Sequence, residues 1–130
     1  MIVDSSALVA ILRNEPEAAS FAQVVALADP ARVSAPTYLE TGIVVESLGG
    51  RAAGLELDDL IHATGIVIEP FTEQQARMAR EAYRDFGKGS GHPAQLNFGD
   101  CFSYALAKAM GEPLLFKGSD FGHTDVRRAV

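Results

Sequence analysis

Four carboxylates stand where catalytic chemistry is easiest to assemble. Asp4 follows Met1-Ile2-Val3, a short apolar run that reads as a buried strand. Glu40 is followed at three, four and eight positions by Ile43, Val44 and Leu48, a helical spacing that turns its carboxylate toward the interior. Asp100 opens the run Asp100 to Lys108, where a helix dipole favours an anion and helps keep it ionised. Asp120 comes a few residues after the apolar run Pro113-Leu114-Leu115-Phe116. Each acid has a purely structural alternative. Asp4 suits a helix cap, Glu40 a buried ion pair with an arginine, Asp100 a dipole complement, and Asp120 a turn beside Gly118 and Ser119.

Taken together they point to a metal centre. Several strand and helix ends carrying these acids converge on one edge of a parallel sheet, where ligands of α/β folds collect. Three or four oxygen anions without a His or Cys cluster suit Mg²⁺ or Mn²⁺, cations that activate water and stabilise a phosphoryl transition state. Such a route cleaves a phosphodiester to a 5′-phosphate and a 3′-hydroxyl. No paired histidines are present to support attack by a 2′-hydroxyl. Zinc is disfavoured, because Cys101 is alone and His62, His92 and His123 lack ligand spacing. Cys101 reads as a small packed apolar side chain.

The elements that must hold these acids alternate between short apolar runs and amphipathic stretches, the pattern of an α/β fold with a mainly parallel sheet. After the first strand, Ser5 to Arg13 reads as a helix. Asn14 is placed to cap a second helix reaching about Ala28, with Pro16 in its first turn and Glu17 at its third position. Asp29-Pro30 breaks that helix, and Arg32-Val33-Ser34 is a strand. Pro36 opens a helix to about Leu48, ended by Gly49-Gly50, and Ala52 to Thr64 forms another. Ile66-Val67-Ile68 is the third strand. Thr72 and Gln75 make a capping box for a helix that reaches Phe86. Gly87 to Gly99, with four glycines and Pro93, reads as a mobile loop. Asp100 to Met110 is a helix, Pro113 to Phe116 a strand, and the tail from Gly118 to Val130 is compatible with a short edge strand.

The chain has 130 residues, enough for one domain, and 48% of them are hydrophobic. No apolar stretch approaches the roughly 20 residues of a membrane span. The lone cysteine and the absence of a basic leader point to the cytoplasm. The net charge of −6 argues against a phosphate-binding protein, unless a carboxylate cluster accounts for much of it. Bound cations reverse the local sign of such a cluster, and the remaining acidity suits a basic protein partner.

The motifs resemble those of a known family. Met1 to Ala10 is similar to the opening of PIN domains of the VapC toxin type, and Tyr38-Leu39-Glu40-Thr41 to their second acidic motif. Leu96 to Ala107 resembles the third. Pro113 to Phe121, with Thr124-Asp125-Val126, resembles the last. The resemblance covers almost the whole chain and implies a single PIN domain over residues 1–130, with helices on both sides of a mainly parallel sheet. It implies Mg²⁺- or Mn²⁺-dependent RNA cleavage, inhibition by a cognate VapB-type antitoxin, and a toxin homodimer that joins the antitoxin in a hetero-oligomer. Carried over, Asp4, Glu40 and Asp100 are the acidic metal ligands and Asp120 fills the fourth position, for which Asp125 competes. Ser6 corresponds to a hydroxyl that supports the first Asp.

Two other functions compete. A phosphotransfer domain needs an acidic pair after its first strand, or D-x-D, but Ser5 and Ser6 follow Asp4. A non-catalytic PIN-like binding module would lack one of the core acids, and all are present. Arg13, Arg84, Lys88, Lys108 and Lys117, with His92, are candidate phosphate contacts or ordinary solvated charges. The apolar residues Val9, Leu12, Phe21, Val24, Val25 and Leu27 of the first two helices are expected to leave a groove for an amphipathic antitoxin segment.

Overall fold

The computed structural model describes residues 1–130. Its centre is a four-stranded parallel sheet in the order β3-β2-β1-β4. The strands are β1 (Ile2–Val3), β2 (Arg32–Ser34), β3 (Val67–Glu69) and β4 (Leu114–Leu115). Helices α1 (Ser5–Leu12), α2 (Ala18–Leu27) and α3 (Ala35–Thr64) cover one face. Helices α4 (Glu73–Phe86) and α5 (Asp100–Met110) cover the other. The three-layer parallel α/β architecture expected from the sequence is the one observed. No helix is long and apolar enough to cross a membrane.

The strands are short, but their alternation divides the core cleanly. Ile2 pairs with Leu114 and both side chains enter the α4/α5 core. Val3 pairs with Leu115 and both enter the core beneath α1, α2 and α3. This is the period-two geometry of a strand buried on both faces. All four side chains are at most 1% exposed, so each two-residue strand is held by packing on both sides.

Most predicted boundaries agree within two residues, and the tail reaches the sheet through a single bridge from Arg128 to Leu114. The Gly49-Gly50 break is present as a sharp kink inside α3. Gly50 has φ 72° and ψ −170°, a conformation essentially restricted to glycine. Three expectations are corrected. Asn14 does not cap α2. It adopts φ 52° and its N–H returns to the Ile11 carbonyl, so it closes α1, while α2 begins after Glu17 without a side-chain cap. The stretch from Gly87 to Gly99 is not loose throughout. Lys88 N–H bonds the Leu96 carbonyl, Leu96 N–H bonds the Phe86 carbonyl, and Ala94 and Leu96 are fully buried. Finally, Phe21 and Val25 face the core, with Val24 packed against it, leaving Leu27 as the one large apolar side chain of α2 that is strongly exposed. The expected groove on α1 and α2 is therefore filled by the protein itself.

Candidate active site

Asp4 is the innermost acid, only 2% exposed at the end of β1. Its Oδ2 accepts the Ser6 N–H at 3.0 Å and the Ser6 hydroxyl at 2.7 Å. Its Oδ1 accepts the Ser103 hydroxyl at 2.6 Å. Asp4 is thus the N-cap of α1 and a site carboxylate at once. Thr37 Oγ1 lies 3.4 Å from Ser103 Oγ, extending the hydroxyl cluster into α3. All of these partners are hydroxyls and an amide; no cationic side chain pairs with Asp4.

Asp100 begins α5 directly alongside. Its Oδ2 accepts the Asn97 N–H at 3.0 Å, while its own N–H donates to Asn97 Oδ1 at 2.9 Å. Burial is the main cause that lifts Asp100 to about 6, opposed by the Asn97 amide and reinforced by the charges of Asp4, Asp120 and Glu40. Glu40 is half-buried and likewise raised, first by burial and further by Asp4, with the Ser5 hydroxyl pulling the other way.

Glu40 reaches this place for a different reason from the one its sequence suggests. Ile43 is 61% exposed, so the face it marks is not the core face. The buried stripe of the first part of α3 is Thr37, Thr41 and Val45, turned from Glu40 by about 100°, one residue step. Glu40 therefore lies at the border of the buried face, over Gly99. A Cβ at Gly99 would collide with its carboxylate, so the glycine makes room for this acid beside Asp100.

Asp120 is exposed at the start of a short 3₁₀ segment (Asp120–His123), and its charge reaches Asp100. Asp125 is placed elsewhere. It accepts the Tyr104 hydroxyl at 2.6 Å and pairs with Lys108 at 2.9 Å, partners that outweigh its burial and hold it below the usual carboxylate range. The charges that act on Asp100 are those of Asp4, Asp120 and Glu40, not that of Asp125.

A cleft of about 450 Å³ is lined by Ser5, Ser6, Glu15, Glu40, Asn97, Asp100 and Lys117, among others. The acids share this region without closing on one point: no three Asp, Glu, His or Cys side chains converge at ligand distance. None of Asp4, Glu40, Asp100 and Asp120 has a salt-bridge partner. Of the candidate phosphate contacts, only Lys117 lines the cleft. Lys108 is bound to Asp125, Arg84 lies 3.9 Å from Asp85, Arg13 lines a groove between α1 and α3, and Lys88 is exposed on its loop. His92 uses Nδ1 to accept the Ala94 N–H. Cys101 is 4% exposed and burial lifts its thiol to about 11, as suits a packed, unreactive side chain.

Sequence reasoning missed Ser103, Asn97 and Gly99. Two of them carried a signal. Ser103 is one helical turn beyond Asp100, and Asn97 stands three residues before it, the spacing of a reciprocal cap.

The PIN domain family model matches residues 1–127. The chain is a PIN-domain protein of the VapC ribonuclease family. This PIN domain is 59% identical over 130 residues to ribonuclease VapC28 of Mycobacterium tuberculosis, covering 100% of this chain and 98% of that one. It is 48% identical over 126 residues to ribonuclease VapC30 of the same organism, covering 97% and 95%. Its fold superposes with a TM-score of 0.76 on the crystal structure of Mycobacterium tuberculosis VapC20, described as a sarcin-ricin loop cleaving toxin. The identity there is 19%, with 96% and 95% of the two chains covered. A chain of a toxin-antitoxin complex from Klebsiella pneumoniae gives 0.67 at 15% identity, with 92% and 88% covered.

Proposed function

We propose that this PIN domain is the toxin of a toxin–antitoxin pair and an endoribonuclease that uses Mg²⁺ or Mn²⁺. The observation that carries the reading is a set of four carboxylates without a cationic partner, Glu40 and Asp100 lining one cleft and Asp4 and Asp120 acting on Asp100 by their charge, in a chain 59% identical to a named ribonuclease. The donors are all oxygens, which suits a hard divalent cation. Asp4, Glu40, Asp100 and Asp120 would hold it. Asp120 is preferred to Asp125 because its charge acts on Asp100, whereas Asp125 is occupied by Tyr104 and Lys108.

When bound, the cation supplies Lewis acidity that activates water and offsets charge developing on the phosphate. The chain's own groups do the positioning. Ser6 and Ser103 direct one proton each at the two oxygens of Asp4. Asn97 fixes Asp100 at the helix start, and Gly99 lets Glu40 lie beside it. The test is cleavage of a single-stranded RNA by purified protein. Cleavage with Mn²⁺ or Mg²⁺, loss in excess EDTA, and 5′-phosphate ends are expected. A 2′,3′-cyclic phosphate end, or full activity in EDTA, rules the mechanism out.

For the antitoxin, the groove between α1 and the two halves of α3 supports binding better than the α1–α2 surface. It is lined by Leu12, Val45, Leu48, Ala52 and Ala53, with Arg13 and Glu56 supplying charge of both signs. Self-association into a homodimer has an apolar surface in Leu39, Ile43 and Phe98, which are 62%, 61% and 77% exposed and line one shallow cleft.

A further inference from the structure

Lys117 is the only cationic side chain lining the acid cleft, which makes it the obvious candidate to meet a phosphate. Its surroundings argue otherwise. Its Nζ donates to Glu15 Oε1 at 2.6 Å and lies 3.2 Å from Glu17 Oε2. One ammonium is therefore shared by two carboxylates, and the group as a whole carries a negative charge. Its backbone points the other way, into the site. Lys117 N–H donates to Ser6 Oγ at 3.0 Å, and Ser6 Oγ donates to Asp4 Oδ2 at 2.7 Å.

A serine hydroxyl has a single proton and two lone pairs. The Lys117 N–H occupies a lone pair, so the proton is left to point at Asp4. The two bonds run in series and polarise one another. Residue 117 lies just past β4, in a bend that leads through Gly118 at φ 98° to the 3₁₀ segment. No helix or strand bonding fixes the backbone there. The side-chain clasp ties it across 102 residues to Glu15, at the turn between α1 and α2.

We infer that Lys117 is a positioning residue for Asp4: Glu15 and Glu17 clasp its side chain so that its backbone N–H orients the Ser6 hydroxyl toward the Asp4 carboxylate. The inference rests on the reading of the Asp4 cleft as the site of RNA cleavage. Partners that orient a ligating side chain are worth about 10- to 100-fold in activity.

The test uses the full chain with Lys117→Met, Lys117→Arg and the double variant Glu15→Gln/Glu17→Gln. Each is assayed for Mn²⁺-dependent cleavage of a labelled single-stranded RNA and for hydrogen exchange at the Lys117 amide. Lys117→Met is expected to lower kcat about 10-fold with KM changed less than about 2-fold, and Lys117→Arg to recover most of the loss. The double variant keeps the ammonium but frees it. It is expected to lower kcat in the same direction and to speed exchange of the Lys117 amide. Circular dichroism establishes that each variant is folded, and if Lys117→Met is not, the double variant decides. A rise in KM at constant kcat, with the salt dependence of RNA binding reduced by about one phosphate contact, would make Lys117 an RNA ligand and overturn the inference. Unchanged amide exchange in the double variant overturns it as well. If the wild type cleaves no RNA, the functional reading fails, and the exchange measurement still judges the clasp.

Discussion

Two groups of charges in this protein are treated in opposite ways. Around the first residues of β1 and β2, Arg32 reaches Glu69 at 2.5 Å and Glu112 at 3.3 Å, and Glu112 also pairs with the amino group of Met1. Every acid there has a cation. At the carboxyl ends of β1 and β4, Asp4, Glu40, Asp100 and Asp120 have hydroxyls, amides and one another, and no cation of the protein. The first arrangement recovers the cost of taking charge out of water; the second leaves that cost standing. Left standing, it lifts Asp100 and Glu40, and the proposed cation would relieve it. On the proposed function, the difference separates charges that serve stability from charges that serve chemistry.

The sharpest way to break the contrast is Asp4→Asn. The amide keeps the shape and removes the innermost charge, so RNA cleavage is expected to fall on the order of 100-fold or more while the circular dichroism spectrum is retained. Gly99→Ala comes next. Its Cβ displaces the flexible end of Glu40 instead of backbone, so cleavage is expected to drop roughly 10-fold with little loss of thermal stability. Unaltered cleavage would show that Glu40 need not lie over residue 99.

Arg32→Met tests the compensated group. It strands Glu69 and Glu112, whose side chains are 22% and 25% exposed. A loss of about 1–2 kcal/mol by urea denaturation is expected, below the 3–5 of a fully buried pair, with cleavage per folded molecule unchanged. The smallest effect is a pH dependence. The folded form holds the Asp100 proton more tightly than the unfolded form, since its value of about 6 exceeds the ordinary 3.8. Its contribution therefore favours the cation-free protein at low pH, weakens as pH rises from about 4 to 6, and is absent above. Melting temperatures in EDTA should show this slope for the wild type, reduced in Asp100→Asn. Equal slopes would mean that Asp100 does not titrate as its surroundings dictate.

Much of this was legible before any coordinates. The strand pairs Ile2-Val3 and Leu114-Leu115 could be read because both faces of the sheet are covered, which makes the runs wholly apolar. The boundaries of α5 followed from an acid at one end and Gly111 at the other. The placement of Glu40 was reached by a wrong route. Ile43 and Leu48 look like a core face, but α3 packs closely through small polar residues, Thr37 and Thr41, whose hydroxyls are satisfied by neighbours or backbone. Hydrophobicity cannot see such a stripe. Nor could it see that Asn14 turns back onto α1, or that Ala94 and Leu96 anchor a glycine-rich loop, because each depends on contacts remote in sequence. The choice between Asp120 and Asp125 depended on Lys108 and Tyr104, which only the fold brings to Asp125.

The strand order carries a consequence for how the protein is made. β1 lies between β2 and β4, so the strand that leads into Asp4 is made before both of its neighbours, and β4 follows only after the whole of α5. The same holds for the acid itself: Ser103 and the Lys117 amide are synthesised about a hundred residues after it. A nascent chain that has not yet passed β4 has an Asp4 without its hydroxyl from α5, a Ser6 without its amide, and a sheet missing an edge. Domains fold as units once their last essential element emerges. The proposed site is therefore incomplete until β4 and the bend that follows it have been made.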